Sequence, residues 1–277
     1  MTCTLSYLTV TGSRQQVCQS ITSATLAGFK YVLIGPTSSS SSGGGGLGLV
    51  ADWFSVPLRW RTREYRDRQE VNKKFAKINS FLLELQANWH DDDYVVFADA
   101  FDVLYQKPTS VSFLQDAGDK IIFNGERNCW PAYHPHRNIY DCPLMQGEDF
   151  AERRSGIPKI CAMMRESYSS QPQLYLNSGV YYGNVKHIKA MLLSVLELSE
   201  SLPSRCVDDQ GLIQWLSVNS HESTIQVDIG STHNLPMYES VQRHTFNDTL
   251  GRWIFTDKLS SPFALHFNGD KSQFPRF

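Results

Sequence analysis

The sequence predicts a single α/β domain over residues 1–277, and three observations carry that prediction. An apolar run from Tyr94 to Ala98 passes without a break into Asp99 and Asp102. The chain opens with a strand-helix-strand pattern, in which the segments Leu5–Thr9 and Tyr31–Ile34 flank the helix-compatible stretch Arg14–Ala27. Strand-like and amphipathic helical patterns then recur to the carboxyl end, and with 41% hydrophobic residues the chain can bury a substantial core.

Taken in order, the elements follow from local pattern. The tract Thr37–Gly46, all serine and glycine after its first residue, lacks apolar surface to bury and reads as a flexible loop inserted within the domain. Glu64–Leu85 reads as a long helix, because Val71, Phe75, Ile78, Phe81, Leu82 and Leu85 recur at three- and four-residue steps. Asp91–Asp93 makes a solvated acidic turn. Tyr94–Ala98, apolar throughout, reads as a strand covered on both faces, and Ile121–Asn124 as another. Tyr133–Gln173 is polar, irregular and rich in proline, arginine and serine, and a connection of that length reads as an insertion that is either a functional lid or partly disordered. The sheet pattern resumes at Tyr175–Tyr182, followed by helices at His187–Leu202 and Gln210–Val218, a strand at Ile225–Ile229 and a last apolar segment around Ala264–Phe267.

Charge and cysteine usage narrow the function classes. With 26 basic and 28 acidic residues the formal net charge is -2, so nothing draws the chain as a whole to nucleic acid or to an anionic membrane. No stretch reaches the roughly 18 apolar residues of a membrane helix. The first ten residues carry no charged signal-like region, and Thr4–Val10 already reads as a strand, so the expectation is a soluble, cytoplasmic chain. The six cysteines Cys3, Cys18, Cys129, Cys142, Cys161 and Cys206 show no paired two-residue spacing, which argues against a structural zinc site. Most are expected to be free and buried. Cys129 and Cys142 bracket a short aromatic loop and would bridge in an oxidising compartment, but the reduced form is favoured.

Asp99 and Asp102 stand at the carboxyl end of a buried strand, the edge where open α/β sheets take their ligands. Two acids crowded there suit a hard divalent cation carrying diphosphate oxygens. A helix start, with Asp99 as N-cap and Asp102 favouring the helix dipole, is the alternative for this segment. Asp208 and Asp209 likewise cap and complement the following helix as readily as they serve a site.

The Asp99/Asp102 pair, Cys129-Trp130-Pro131, Leu176-Asn177-Ser178-Gly179, Asp208-Asp209-Gln210 and His266-Phe267-Asn268-Gly269 occur in an order that resembles the glycosyltransferase domain of the procollagen lysyl hydroxylase/glycosyltransferase family, over about Leu5 to Lys271. The resemblance implies a GT-A-like, Rossmann-like fold: a mixed, mostly parallel sheet flanked by helices. It implies Asp99, Asp102 and His266 as ligands of a divalent cation, manganese first and magnesium second, and two carboxylates with one imidazole agree with that choice. It places Phe101 on the uracil face, where the family usually has tyrosine, and Thr9 or Thr11 near the uracil or ribose. Lys77, Asn268, Gly269 and Lys271 fall on the nucleotide side, with Lys271 also readable as a solvated terminal lysine. Asn177, Asp208 and Asp209 fall near the donor sugar and scissile bond, and Trp130 serves as a wall for the sugar or as a core residue.

The function implied is transfer of a hexose from UDP-glucose or UDP-galactose to an acceptor hydroxyl, with retention at the anomeric carbon. Val180 stands where the family usually has another glycine, and the acidic run before Gln210 is only two residues long, so the sugar pocket is expected to differ. The insertion at 133–173 makes collagen a poor acceptor and favours another protein or a glycan. Two rivals remain: an inactive domain that binds a nucleotide sugar or a protein, and a nucleotidyltransferase. The second would want a phosphate loop, yet Gly43–Gly46 has no lysine in the required arrangement.

Overall fold

The computed structural model describes residues 3–7, 14–34, 77–106, 113–129, 159–168, 173–202, 209–219, 224–237, 244–247, 249, 252–255 and 262–268. The opening unit is β1 (Cys3–Tyr7), α1 (Arg14–Leu26) and β2 (Lys30–Ile34), with β1 and β2 parallel. Helix α1 stops where Gly28 takes a φ of 87°, a left-handed conformation that glycine adopts without steric cost. Helix α2 spans 77–88, and the amino-terminal part of the long helix expected from Glu64 lies outside the described residues. Strand β3 (Tyr94–Asp99) follows, then β4 (Val103–Tyr105), the short α3 (Phe113–Asp116) and β5 (Ile121–Glu126). After α4 (Lys159–Ser167) come β6 (Tyr175–Asn184), α5 (Val185–Glu200), α6 (Asp209–Asn219), β7 (Ile225–Asp228), β8 (Asn234–Pro236), β9 (His244–Asn247), β10 (Arg252–Phe255) and β11 (Ala264–His266).

Among the described residues the main sheet has six strands in the order β2-β1-β3-β6-β5-β7. Strand β6 runs antiparallel to both β3 and β5, while the other neighbouring pairs are parallel, so the sheet is the mixed, mostly parallel one expected. The unbroken apolar run of β3 is explained by cover on both faces. Val95 and Phe97 face a core shared with α2, α4, α5 and α6, whereas Val96 and Ala98 face one built from α1, α3 and Phe263. On the first face Tyr181 stacks on Phe97 and Phe123 with centroids 4.7 and 4.5 Å apart.

Several expectations need correction. The segment 133–173 is not irregular throughout, because α4 lies within it and buries Ile160, Cys161 and Met164 in the main core. The expected cysteine pairing also changes among the described residues. Cys129 is bonded to Cys161, neither to Cys142 nor reduced, and Cys18 is a free thiol but exposed. The physical reason is that α4 brings Cys161 back beside the residues following β5, a neighbourhood invisible in linear spacing. Among the described residues no helix is long and apolar enough to cross a membrane.

The small sheet β4-β11-β8 was not anticipated, and it matters most for the site. Strand β11 pairs antiparallel with β4 and parallel with β8. On its other side β4 is held by α1: Ser20 Oγ donates to the Val103 carbonyl at 2.6 Å, and Tyr105 N–H donates to Ser23 Oγ at 3.0 Å. Polar residues of α1 thus satisfy backbone groups that a sheet edge would leave open.

Candidate active site

Asp99 ends β3, and the chain then bends through Ala100 and Phe101 to Asp102 before entering β4. A bend and a strand follow the two acids, so the helix-cap reading of Asp99 does not apply. Phe101 is buried with Ala100 against Ile21 of α1, which pins this bend and fixes both carboxylates at the carboxyl edge of the sheet. Register brings in the third group: His266 pairs with Val103, and Phe267 N–H donates to the Asp102 carbonyl at 2.7 Å. Two segments far apart in sequence are therefore locked side by side by backbone bonds.

The imidazole of His266 needs room inside the sheet, and β6 provides it. Phe123 pairs with Tyr181 but Asn124 pairs with Asn177, so the register slips and Ser178, Gly179 and Val180 have no partner on β5. At this bulge a Cβ on Gly179 would lie 2.1 Å from His266 Cε1 and 2.6 Å from Nε2. Glycine there is required by the ring. The Gly179 N–H is taken by Asn177 Oδ1 at 2.9 Å, so the motif Asn177-Ser178-Gly179 closes on itself.

Asp99, Asp102 and His266 each present one ligand atom within 4.8 Å of the others, and His266 Nε2 lies 3.7 Å from Asp102 Oδ1. Ligands on opposite sides of a shared ion with bonds of about 2.2 Å stand about 4.4 Å apart, so small side-chain adjustments close the set. Two carboxylates and one imidazole are a donor set that fits a divalent metal.

Lys77, the first described residue of α2, reaches Asp99 at 2.8 Å and Asp209 at 3.5 Å, with its ammonium 4.8 Å from the centre of the Phe97 ring. Burial by itself would lower its pKa, but the two carboxylates raise it above lysine's ordinary value and keep the ammonium charged. Asp209 opens α6, where the helix dipole favours its charge, and Ser178 Oγ donates to it at 3.4 Å.

Beside this cluster lies a carboxylate that the motif reading did not assign. Glu126 ends β5 and accepts from Gln210 Nε2 at 2.7 Å and Asn268 Nδ2 at 2.9 Å, with Asn177 a further partner. Burial pushes its pKa up to about 7, against the pull of those hydrogen bonds. Gln210 in turn accepts from Ser178 N–H at 3.1 Å, so the amides of β6, α6 and the residues after β11 are oriented around one buried acid. Ile121–Phe123 is another apolar run, but Asn124 and Gly125 separate it from the acid, so no direct apolar-to-acid step marked Glu126 in the sequence.

Asp99, Asp102, His266, Lys77, Asp209, Asn177 and Asn268 are thus joined in one neighbourhood by direct contacts or through Glu126. Phe101 lies in the bend between the two acids, 4% exposed. Thr9, Thr11, Trp130, Asp208, Gly269 and Lys271 lie outside the described residues.

No protein-family model matches the chain, and no curated protein is significantly similar to it. Solved structures do resemble it. An active-site mutant of LgtC aligns over 98% of this chain and 88% of its own, at 13% identity and a TM-score of 0.47. A glycosyltransferase involved in glycosylation of the major capsid of PBCV-1 aligns over 97% of this chain and 93% of its own, at 11% identity and a TM-score of 0.45.

Proposed function

We propose that this chain is a divalent-cation-dependent glycosyltransferase that moves a hexose from UDP-glucose or UDP-galactose to a hydroxyl of a protein or glycan. The observation that carries the reading is the convergence of Asp99, Asp102 and His266 within 4.8 Å at the carboxyl edge of an α/β sheet. Manganese is the first choice of ion and magnesium the second, and when bound it would supply charge neutralisation for the departing diphosphate. Membership in the procollagen lysyl hydroxylase/glycosyltransferase family, retention at the anomeric carbon and the preference for a non-collagen acceptor belong to the same reading.

The remaining roles follow from the side chains. Phe101, with Thr9 or Thr11, would receive the nucleoside. Lys77, Asn268, Gly269 and Lys271 would hold the diphosphate, Lys77 by turning part of its ammonium from Asp99 and Asp209 to a phosphate oxygen. Asn177, Asp208, Asp209 and Trp130 would hold the sugar, whose bond to the phosphate oxygen breaks as the acceptor oxygen bonds the anomeric carbon. Acidic side chains around that carbon favour the positive charge that develops there.

The test is UDP release from a panel of UDP-hexoses with manganese, with chelator, and with Asp102→Ala. Turnover with manganese, abolished by chelator and reduced at least about 100-fold by the substitution, is expected, since both remove the groups that neutralise the leaving diphosphate. UDP binding without turnover would identify a binding domain, and pyrophosphate release from a nucleoside triphosphate would identify a nucleotidyltransferase; either result overturns the reading.

A further inference from the structure

His266 is 3% exposed and Asn124 is fully buried, and Asn124 Nδ2 lies 3.3 Å from His266 Nδ1. In that orientation the amide donates, so Nδ1 accepts and the proton of the neutral ring sits on Nε2, 3.7 Å from Asp102 Oδ1. A ring in this form has no lone pair to offer toward the two aspartates. Asn124 Oδ1, meanwhile, is buried and makes no hydrogen bond. A buried acceptor left unused costs stability in that state, so its presence here calls for a role.

Rotating the amide by 180° about its terminal bond exchanges oxygen for nitrogen with almost no change of shape. Oδ1 then faces Nδ1, the ring proton moves to Nδ1 and is donated to Asn124, and Nε2 is left with its lone pair directed at the Asp99/Asp102 side. No backbone movement is needed, which matters because Gly179 and the β11 pairing leave the ring little freedom.

We infer that Asn124 is a positioning residue for the candidate metal centre, whose amide sets the tautomer of His266 and so decides whether Nε2 is a donor to Asp102 or a ligand. The inference rests on the reading of Asp99, Asp102 and His266 as a cation site. It adds a partner that acts through the histidine and touches no ion itself. Hydrogen-bond partners of this kind commonly change metal affinity 10- to 100-fold when removed.

Two measurements on the full chain test it. Manganese affinity by titration calorimetry is compared for the wild type, Asn124→Leu, Asn124→Asp and His266→Ala. Asn124→Leu, close in size but with no acceptor, is expected to bind manganese about 10- to 100-fold more weakly. Asn124→Asp, an acceptor that needs no rotation, is expected to bind within about threefold of the wild type or more tightly. Equal affinity of Leu and wild type, or equal weakness of Asp and Leu, overturns the inference. Independently, long-range nitrogen-proton spectra of the His266 ring without metal are expected to show Nε2–H in the wild type and Nδ1–H in Asn124→Asp. The same tautomer in both sinks the inference even if a variant is too unstable for calorimetry. Failure of the underlying site reading looks different: the wild type would bind no manganese, or His266→Ala would bind it as well as the wild type, while the ring spectra still reported on Asn124.

Discussion

Glu126 ties the site to pH. Its carboxyl, raised by burial from 4.5 to about 7, holds a proton more tightly in the folded chain than in the unfolded one. Its contribution is therefore fully present below about pH 4.5 and is lost as pH rises through 7, by at most roughly 3 kcal/mol. Glu126→Gln should remove that slope, so urea unfolding of the two chains at pH 5 and pH 8 is expected to show the variant gaining relative stability at the higher pH. Parallel pH dependences would contradict the assignment. Gly179 yields a steric expectation: its alanine Cβ would overlap His266, so Gly179→Ala should displace the ring and weaken manganese binding at least about tenfold while costing about 1–3 kcal/mol. Calorimetry and a melting curve measure both. Asp99 and Asp102 were legible in sequence because apolar residues lead straight into them. Glu126 and Asn124 were not singled out, since one acid and one amide in a buried strand gain meaning only from the side chains that face them.

Strand β3 shows how much of the architecture is written locally and how much is not. Its apolar run announces cover on both faces, and Phe97 is 1% exposed between Phe81 and Tyr181. Phe97→Ala is expected to cost about 3–5 kcal/mol in chemical denaturation, because the cavity left between stacked rings and helix α2 collapses only in part. A loss below about 1 kcal/mol would mean the stack carries little of the core. Long elements such as α5 and β6 were readable from period and length. The three-residue strands β4, β8 and β11 were too short to show a period, and each exists because its neighbours complete its hydrogen bonds. Helix α4 was missed for a different reason: its apolar residues form one short run, Ile160–Met164, which shows no helical period, and which of them are buried is set by the core they meet.

The Cys129–Cys161 bond joins the residues after β5 to α4 across 32 positions, closing the loop that carries the segment read as an insertion. Closing a loop of that length stabilises a fold by about 3–4 kcal/mol in the chain-entropy account. Cys161→Ser is expected to lower stability by a comparable amount and to abolish any further effect of dithiothreitol on the melting temperature. If reductant destabilises the serine variant as much as the wild type, the bond does not have this role. The α/β class, the two-sided cover of β3 and the acids at its edge were legible in the linear chain, because periodicity and an apolar-to-acid transition are local properties, whereas the mostly parallel sheet was expected only from the family resemblance. Long-range packing set the rest: the bulge in β6 that seats His266 against Asp102, Asn124 behind the ring, Glu126 among three amides, and the pairing of Cys129 with Cys161. Those outcomes depend on register between strands distant in sequence, which is fixed by the packing of the whole sheet and leaves no trace in any single segment.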